Sequence, residues 1–289
     1  MPAPRPLIIA HRGASGDRPE HGLSAHRLAI EQGADVIEPD LVMSADGELL
    51  VRHDLGLRRS TNVAELPNLS GLRNPTEDDW LAADLSWTQI QSLHCVQPWP
   101  NRPQNRNRID RVLRLEDLLR LARSEGQRRG RRIVVYAETK HPGWHHARGL
   151  DFVSAITETL ERVGELEPHA ELWMQSFEWP ILDQLKQHCG LPGYALVDAE
   201  QAFEPEQCAG RYAGVGIAKQ RIDPRTDRGR ELLQRLCELG LRVHAWTFRH
   251  DLPGEGWESA EAEISAYLKL PLEALFCDFP GRALALRSV

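Results

Sequence analysis

An Asp-Gly pair at positions 46 and 47 separates two apolar runs, DVIEPDLVM and LLVRH. Asp-Gly between such runs is the strongest short-range hairpin signal, because the glycine supplies a positive φ that other residues resist. The chain is therefore expected to reverse here, laying LLVRH antiparallel to the run before it. Parallel strands need crossovers of a dozen or more residues, so an arm returned by so short a turn cannot belong to a parallel sheet joined by helices. That exclusion fixes the strand count.

Short apolar runs and helical periodicity alternate along the rest of the chain. LIIAH is followed by a helix from Gly22 to Gln32, and DVIEPDLVM by the hairpin. The helix LEDLLRLARSEGQRR then leads to RIVVYAETK, Leu150 to Val163 to ELWMQSF, and Pro180 to Cys189 to GYALVD. Glu200 to Cys208 precedes AGVGIA, Arg228 to Leu239 precedes LRVHAWT, Ala260 to Leu268 precedes LEALFCD, and a last helix starts at Pro280. With the return arm set aside, eight strands remain, the pattern of a (β/α)8 TIM barrel, α/β in class. An open doubly wound sheet would want G-x-G-x-x-G after the first strand, and HRGASGDRP lacks that spacing. Residues 1–289 read as one domain, with an insertion of about 55–111 after the second strand as part of the substrate-side rim. Two short helical signals, Glu77 to Leu81 and Ser86 to Leu93, sit in that insertion, and QPWPNRPQNRNR shows no periodicity, so a lid, a binding element or disorder is expected.

Composition narrows the function. A chain of 289 residues that is 41% hydrophobic can bury a full core, and a formal charge of −7 without a basic and aromatic cluster argues against a nucleic-acid partner. The five cysteines are scattered with no C-x-x-C, and read as reduced thiols. Only Leu7 to Ala10 are apolar in succession at the amino terminus, and no run of 18 apolar residues occurs, so no membrane span and a cytoplasmic location are expected.

In a barrel of this kind the site lies at the carboxyl ends of the strands. His11 and Arg12 end the first, Glu38 and Asp40 the second, Glu138 and Lys140 the third, Gln175 the fourth, Trp246 the seventh and Asp278 the eighth. Side chains two apart in a strand face the same way, so Glu38, Asp40 and Glu138 converge. Three ionised carboxylates cannot share a cavity without a cation, and an all-oxygen set favours Mg2+ or Ca2+. His11 and His53 remain as proton carriers. Other polar residues take plainer readings. Asp278 before Pro280 is expected to be a helix N-cap, His244 a core imidazole, and His141, His145 and His146 parts of a surface loop rather than a second metal site. His53, carried by the return arm, is expected to depend on the Asp46-Gly47 turn, so that Gly47→Val impairs turnover more than metal binding.

The run HRGASGDRPEHGLSAHRLAIEQGADVIEPDLVMSADGELLVRHD resembles the amino-terminal signature of the glycerophosphodiester phosphodiesterase family, with its HRG, PE, GAD-x-IE-x-D, DG and HD elements in order. YAETKHP, MQSF, HAWT and LFCDFP resemble later elements of the same family, Cys277 standing where threonine is usual. PEH in place of the commoner PEN, PGWHH and the long insertion are most similar to the larger, often periplasmic bacterial branch, from which the chain departs in showing no signal-peptide run. The resemblance implies a TIM-barrel hydrolase that converts a small-molecule glycerophosphodiester into glycerol 3-phosphate and an alcohol. It further implies that Glu38, Asp40 and Glu138 hold a divalent cation, His11 is the general base and His53 the general acid. Arg12 and Lys140 would bind the substrate phosphate, with Trp246 beside the substrate; a cyclic phosphate is the expected intermediate, with direct attack by water left open. A phospholipase-type enzyme on lipid substrates and a non-catalytic phosphate-ester binder are the alternatives; the oligomeric state is open.

Overall fold

A computed structural model describes residues 5–164 and 172–287. The amino-terminal reading of residues 1–4 and the first residue of ELWMQSF, Glu171, fall outside the described residues. Ten strands form one sheet: β1 (Leu7–His11), β2 (Val36–Glu38), β3 (Asp40–Met43), β4 (Leu49–Val51), β5 (Val134–Thr139), β6 (Leu172–Ser176), β7 (Gly193–Val197), β8 (Gly214–Ala218), β9 (Arg242–Phe248) and β10 (Ala274–Cys277). β10 pairs in parallel with β1, β1 with β2, and β2 with β5, which closes the sheet into a barrel. β2 and β3 occupy one barrel position, split at Pro39, so the ring has eight positions. Proline has no N–H to give a ladder, yet its carbonyl still accepts from the Glu138 N–H at 2.9 Å.

β4 runs antiparallel to β3, with Leu41 opposite Val51 and Met43 opposite Leu49, and takes no place in the ring. The connection differs from the expected two-residue turn. It is a five-residue loop, Ser44 to Glu48, in which Gly47 takes φ 83° and Asp46 caps the Trp87 N–H at 2.9 Å.

The helices are α1 (Leu23–Gln32), α2 (Trp87–Ile90), α3 (Leu115–Arg129), α4 (Pro142–His146), α5 (Phe152–Val163), α6 (Pro180–Cys189), α7 (Asp227–Glu238), α8 (Ala260–Tyr267) and α9 (Pro280–Arg287). Asp151, Thr226 and Ser259 accept from backbone N–H groups at the starts of α5, α7 and α8. Two expected helices fail locally. Of Glu200 to Cys208 only a 3₁₀ turn, Pro205–Gln207, forms, because Pro205 interrupts a helix that would need its N–H. Glu77 to Leu81 is a turn: the Asn74 side chain takes the Thr76 and Glu77 N–H groups, the Asp79 side chain takes that of Trp80, and these local bonds displace helical ones. Ser86 to Leu93 shortens to α2, held by a Ser86/Gln89 capping box.

The insertion is a folded unit. Leu57, Val63, Leu69, Trp80, Leu85, Ile90 and Leu93 bury one another and close over Val42 and Leu50 of the hairpin. Alternation along the hairpin explains this double service. Leu41, Met43, Leu49 and Val51 face the main core, and Val42 and Leu50 face the insertion. His145, expected in a surface loop, is fully buried on α4 against Phe152. Among the described residues no helix is long and apolar enough to cross a membrane. All five cysteines are free.

Candidate active site

The barrel bore is organised by the two-residue period of its strands. One inward layer is Ile9, Val36, Tyr136, Trp173, Tyr194, His244 and Phe276, an apolar and aromatic floor. His244 is the expected core imidazole, with Nδ1 3.1 Å from the Tyr136 hydroxyl and Nε2 2.7 Å from Glu273. Two residues further along the same strands stand His11, Glu38, Glu138, Gln175, Leu196, Trp246 and Asp278. All but Asp278 line one cleft of about 140 Å³ together with Arg12, His53, Lys140, Phe177 and Arg249. The register that sets His11 beside Glu38, and Glu138 between Asp40 and Gln175, puts the carboxylates at one height.

Glu38, Asp40 and Glu138 are all buried, and one oxygen of each lies within 4.8 Å of the others. Their partners differ. Glu38 accepts from the Arg12 N–H at 3.0 Å and the Gln175 amide at 2.9 Å, both neutral donors. Asp40 Oδ2 lies 3.0 Å from Arg12 Nε and 3.0 Å from His21 Nε2. Glu138 takes the Lys140 ammonium at 2.7 Å. Burial and the flanking Asp40 and Glu138 charges push the Glu38 carboxyl well above its usual range. Burial also works against Asp40, but Arg12 and Lys140 outweigh it and hold its carboxyl well below that range. Burial, with Asp40, leaves Glu138 raised despite Lys140. Asp40 Oδ1 is buried with no hydrogen-bond partner. A buried carboxylate oxygen without a donor, in an all-oxygen cluster, fits a hard divalent cation such as Mg2+ or Ca2+.

Each histidine of the cleft carries an aspartate on Nδ1. His11 Nδ1 is 2.6 Å from Asp278 Oδ1, and His53 Nδ1 is 2.6 Å from Asp54 Oδ1. An ionised aspartate there takes the Nδ1–H, which leaves each Nε2 as the working nitrogen. Burial, then the Arg12 charge, lowers the His11 pKa against the pull of Asp278. Arg12 stays charged although buried, because the Glu20 and Asp40 carboxylates outweigh desolvation.

Of the expected residues, His11, Arg12, Glu38, His53, Glu138, Lys140, Gln175 and Trp246 line this cleft and Asp40 is buried in the carboxylate cluster beside them, but Asp278 is misread from sequence. It bridges His11 to Arg102 Nη2, 2.6 Å from Oδ2, instead of capping α9, and burial is outweighed by His11, Arg102 and Arg249, so its carboxyl titrates far below the usual range. Asp54, Glu20 and His21 are given no role in the sequence reading. The first two were legible, since they stand in the PE and HD elements of the family resemblance. His21 was not: its left-handed φ of 63° turns the ring beneath the site.

The sequence pattern of the glycerophosphoryl diester phosphodiesterase family matches residues 11–282. The chain belongs to that family. Membership places it among the phosphoric diester hydrolases. A glycerophosphodiester phosphodiesterase of Haemophilus influenzae is 27% identical over 95% of this chain and 87% of its own length. Among solved structures, a candidate glycerophosphoryl diester phosphodiesterase of Silicibacter pomeroyi superposes with a TM-score of 0.79 at 22% identity, over 100% of this chain and 94% of its own. An Oleispira antarctica phosphodiesterase in complex with the product sn-glycerol-3-phosphate gives 0.70 at 20% identity, over 99% and 98%. These two similarities concern the fold.

Proposed function

We propose that this family member hydrolyses glycerophosphodiesters to glycerol 3-phosphate and an alcohol, with His11 as general base, His53 as general acid and a divalent cation on Glu38, Asp40 and Glu138. The observation that carries the reading is the pair of histidines, each oriented by an aspartate on Nδ1, in the cleft that also holds the carboxylate cluster. Family membership and the glycerol-phosphate product named for the Oleispira protein support the substrate class. Mg2+ or Ca2+, when bound, supplies positive charge that offsets the phosphodiester's own.

The protein's residues do the rest. Arg12 and Lys140 line the cleft and add fixed positive charge for the phosphate oxygens. The Trp246 indole N–H is buried without a partner in the cleft wall, and serves as a donor to substrate. His11, kept neutral by burial, takes the proton from the attacking oxygen, and His53 gives one to the departing alcohol. In-line displacement needs those two jobs done by separate groups. The attacking oxygen is the substrate's own glycerol 2-hydroxyl, which gives a cyclic phosphate that water then opens. The insertion, residues 55–111, forms part of the rim.

Release of glycerol 3-phosphate from glycerophosphocholine by the metal-loaded protein tests the reading. Activity should vanish with chelator and fall by a factor of about 10² or more in His11→Ala and in His53→Ala, the scale of a lost general acid or base. Wild-type turnover in both variants would sink the assignment. A substrate lacking the 2-hydroxyl should resist cleavage; its hydrolysis at the normal rate would favour direct attack by water.

A further inference from the structure

One guanidinium crosses from the insertion into the barrel mouth. Arg102, buried at 5% exposure, grips Asp251 with Nε at 2.8 Å and Nη2 at 3.1 Å, and the same Nη2 reaches Asp278 Oδ2 at 2.6 Å. Its Nη1 donates to the Ser15 carbonyl at 3.4 Å, and Gln97 donates to the Ser15 and Arg18 carbonyls at 3.1 and 3.0 Å. The indole of Trp99 packs 5.1 Å from the Arg102 guanidinium. The segment from Gln97 to Arg102 is therefore strapped to the loop that follows β1.

The geometry matters because an imidazole is no better oriented than the carboxylate that holds it. Asp278 spends Oδ1 on His11, and rotation about its last side-chain bond would carry that oxygen away. Arg102 pins the other oxygen, and the two-pronged grip on Asp251 keeps Arg102 itself from swinging. Arg249 cannot replace it, since its Nε lies 3.3 Å from Asp278 Oδ2 without an aligned hydrogen bond. Only a forked, planar cation spans two carboxylates in this way, so lysine would not serve.

We propose that Arg102 is a positioning residue for the reaction: through Asp278 it holds His11 as the Nδ1–H tautomer with Nε2 toward the cleft, which makes the insertion a working part of proton transfer. The proposal rests on His11 being the general base. It is tested on the metal-loaded full chain with Arg102→Met, Arg102→Lys and Asp251→Asn. In Arg102→Met, kcat should fall about 10- to 100-fold, a fraction of the loss seen when a catalytic histidine is left in the wrong tautomer. KM and metal affinity should stay within about threefold, since no substrate or metal contact is removed. The His11 imidazole nitrogen shifts should show a mixture of tautomers in place of one. Arg102→Lys should behave as Arg102→Met. Asp251→Asn should lose less, and the double variant Arg102→Met/Asp251→Asn no more than Arg102→Met alone, because both act through one connection. An Arg102→Met enzyme with kcat within twofold of wild type, or with kcat lost while His11 keeps a single Nδ1–H tautomer, overturns the proposal. If Arg102→Met does not fold, Asp251→Asn is decided by the same readouts, unchanged kcat and tautomer overturning it. Wild-type turnover in His11→Ala would instead refute the base assignment, and the tautomer measurement keeps the two failures apart.

Discussion

Adding Mg2+ or Ca2+ to the cation-free protein is expected to displace a proton, and Glu38 is its source. At an effective dielectric of about 20, two ionised carboxylates no more than 4.8 Å apart repel by at least about 3.5 kcal/mol. Asp40 and Glu138 have cations at 3.0 and 2.7 Å, whose attraction on the same scale is about 5 to 6 kcal/mol each, so both give up their protons before Glu38 does. Glu38 has the Arg12 N–H, the Gln175 amide and the Arg12 charge, but no ion pair of its own, against two such repulsions and its own burial. The unbalanced cost holds the Glu38 carboxyl well above its usual range, so of the three it keeps its proton longest as pH rises. A divalent charge reverses that balance. Calorimetric titrations in two buffers of different protonation enthalpy read the displaced proton as a difference in apparent binding enthalpy, and Glu38→Gln should remove the difference. Tight binding by the wild type with no buffer dependence would refute the reasoning. Stability follows with a definite sign. A carboxyl raised on folding holds its proton in the native state after the unfolded chain has lost it, so cation-free stability falls as pH rises past about 4.3, by up to about 1.4 kcal/mol per pH unit, until the native group ionises. The cation-loaded protein should lack that decline.

Other perturbations probe separate parts of the molecule. His26 is fully buried with neither ring nitrogen partnered, and burial lowers its pKa to about 3. The unfolded chain then binds the proton first, stability falls as pH drops from about 6.5, and His26→Leu should flatten the fall by about 1.4 kcal/mol per pH unit in denaturant titrations; an unchanged slope would exclude this cause. Asp278→Asn should reduce kcat by a factor of about 10² to 10⁴ while metal affinity measured by calorimetry stays within about threefold, because an amide can offer His11 Nδ1 a donor and favour the wrong tautomer. Lys219 and Glu263 form a buried pair at 2.7 Å, and Glu263→Ala should cost about 3 to 5 kcal/mol of unfolding free energy by stranding the ammonium. Gly47 has φ 83° with open space where a Cβ would sit, so Gly47→Val carries backbone strain of about 1 to 3 kcal/mol without a clash, and should lower the melting temperature with turnover changed less than threefold at 25 °C.

That last expectation reverses the one drawn from sequence, and the reason lies in Arg52. Its side chain is buried beside His53, donates to the Ser60 carbonyl and hydroxyl at 3.1 Å, and sits 2.8 Å from Cys95 Sγ, while its N–H bonds the Asp40 carbonyl at 2.9 Å. His53 is therefore anchored from within and not only by the turn. Nothing in RHD announces a buried arginine, because its partners come from residues 60 and 95. Local pattern carried the barrel itself: a period of two exposes ExD and ExK as paired inward charges, and Asp-Gly forces the reversal that removes β4 from the ring. The insertion defeated pattern reading because its apolar residues follow neither period and are ordered by contacts between turns. Arg102 was illegible for the same reason, an arginine among the prolines and asparagines of QPWPNRPQNRNR that acquires meaning only once Asp251 and Asp278 arrive beside it.

The hairpin that feeds both apolar clusters has a consequence for engineering. β3 and β4 act as a party wall, with Val42 and Leu50 plastered on the insertion side and Leu41, Met43, Leu49 and Val51 on the barrel side. Trimming the insertion to a short loop would leave the outer surface of that wall bare and sticky. Transplanting the insertion onto another barrel would succeed only if the recipient strand carried matching bricks. The insertion is thus inherited together with the second strand, as one indivisible block.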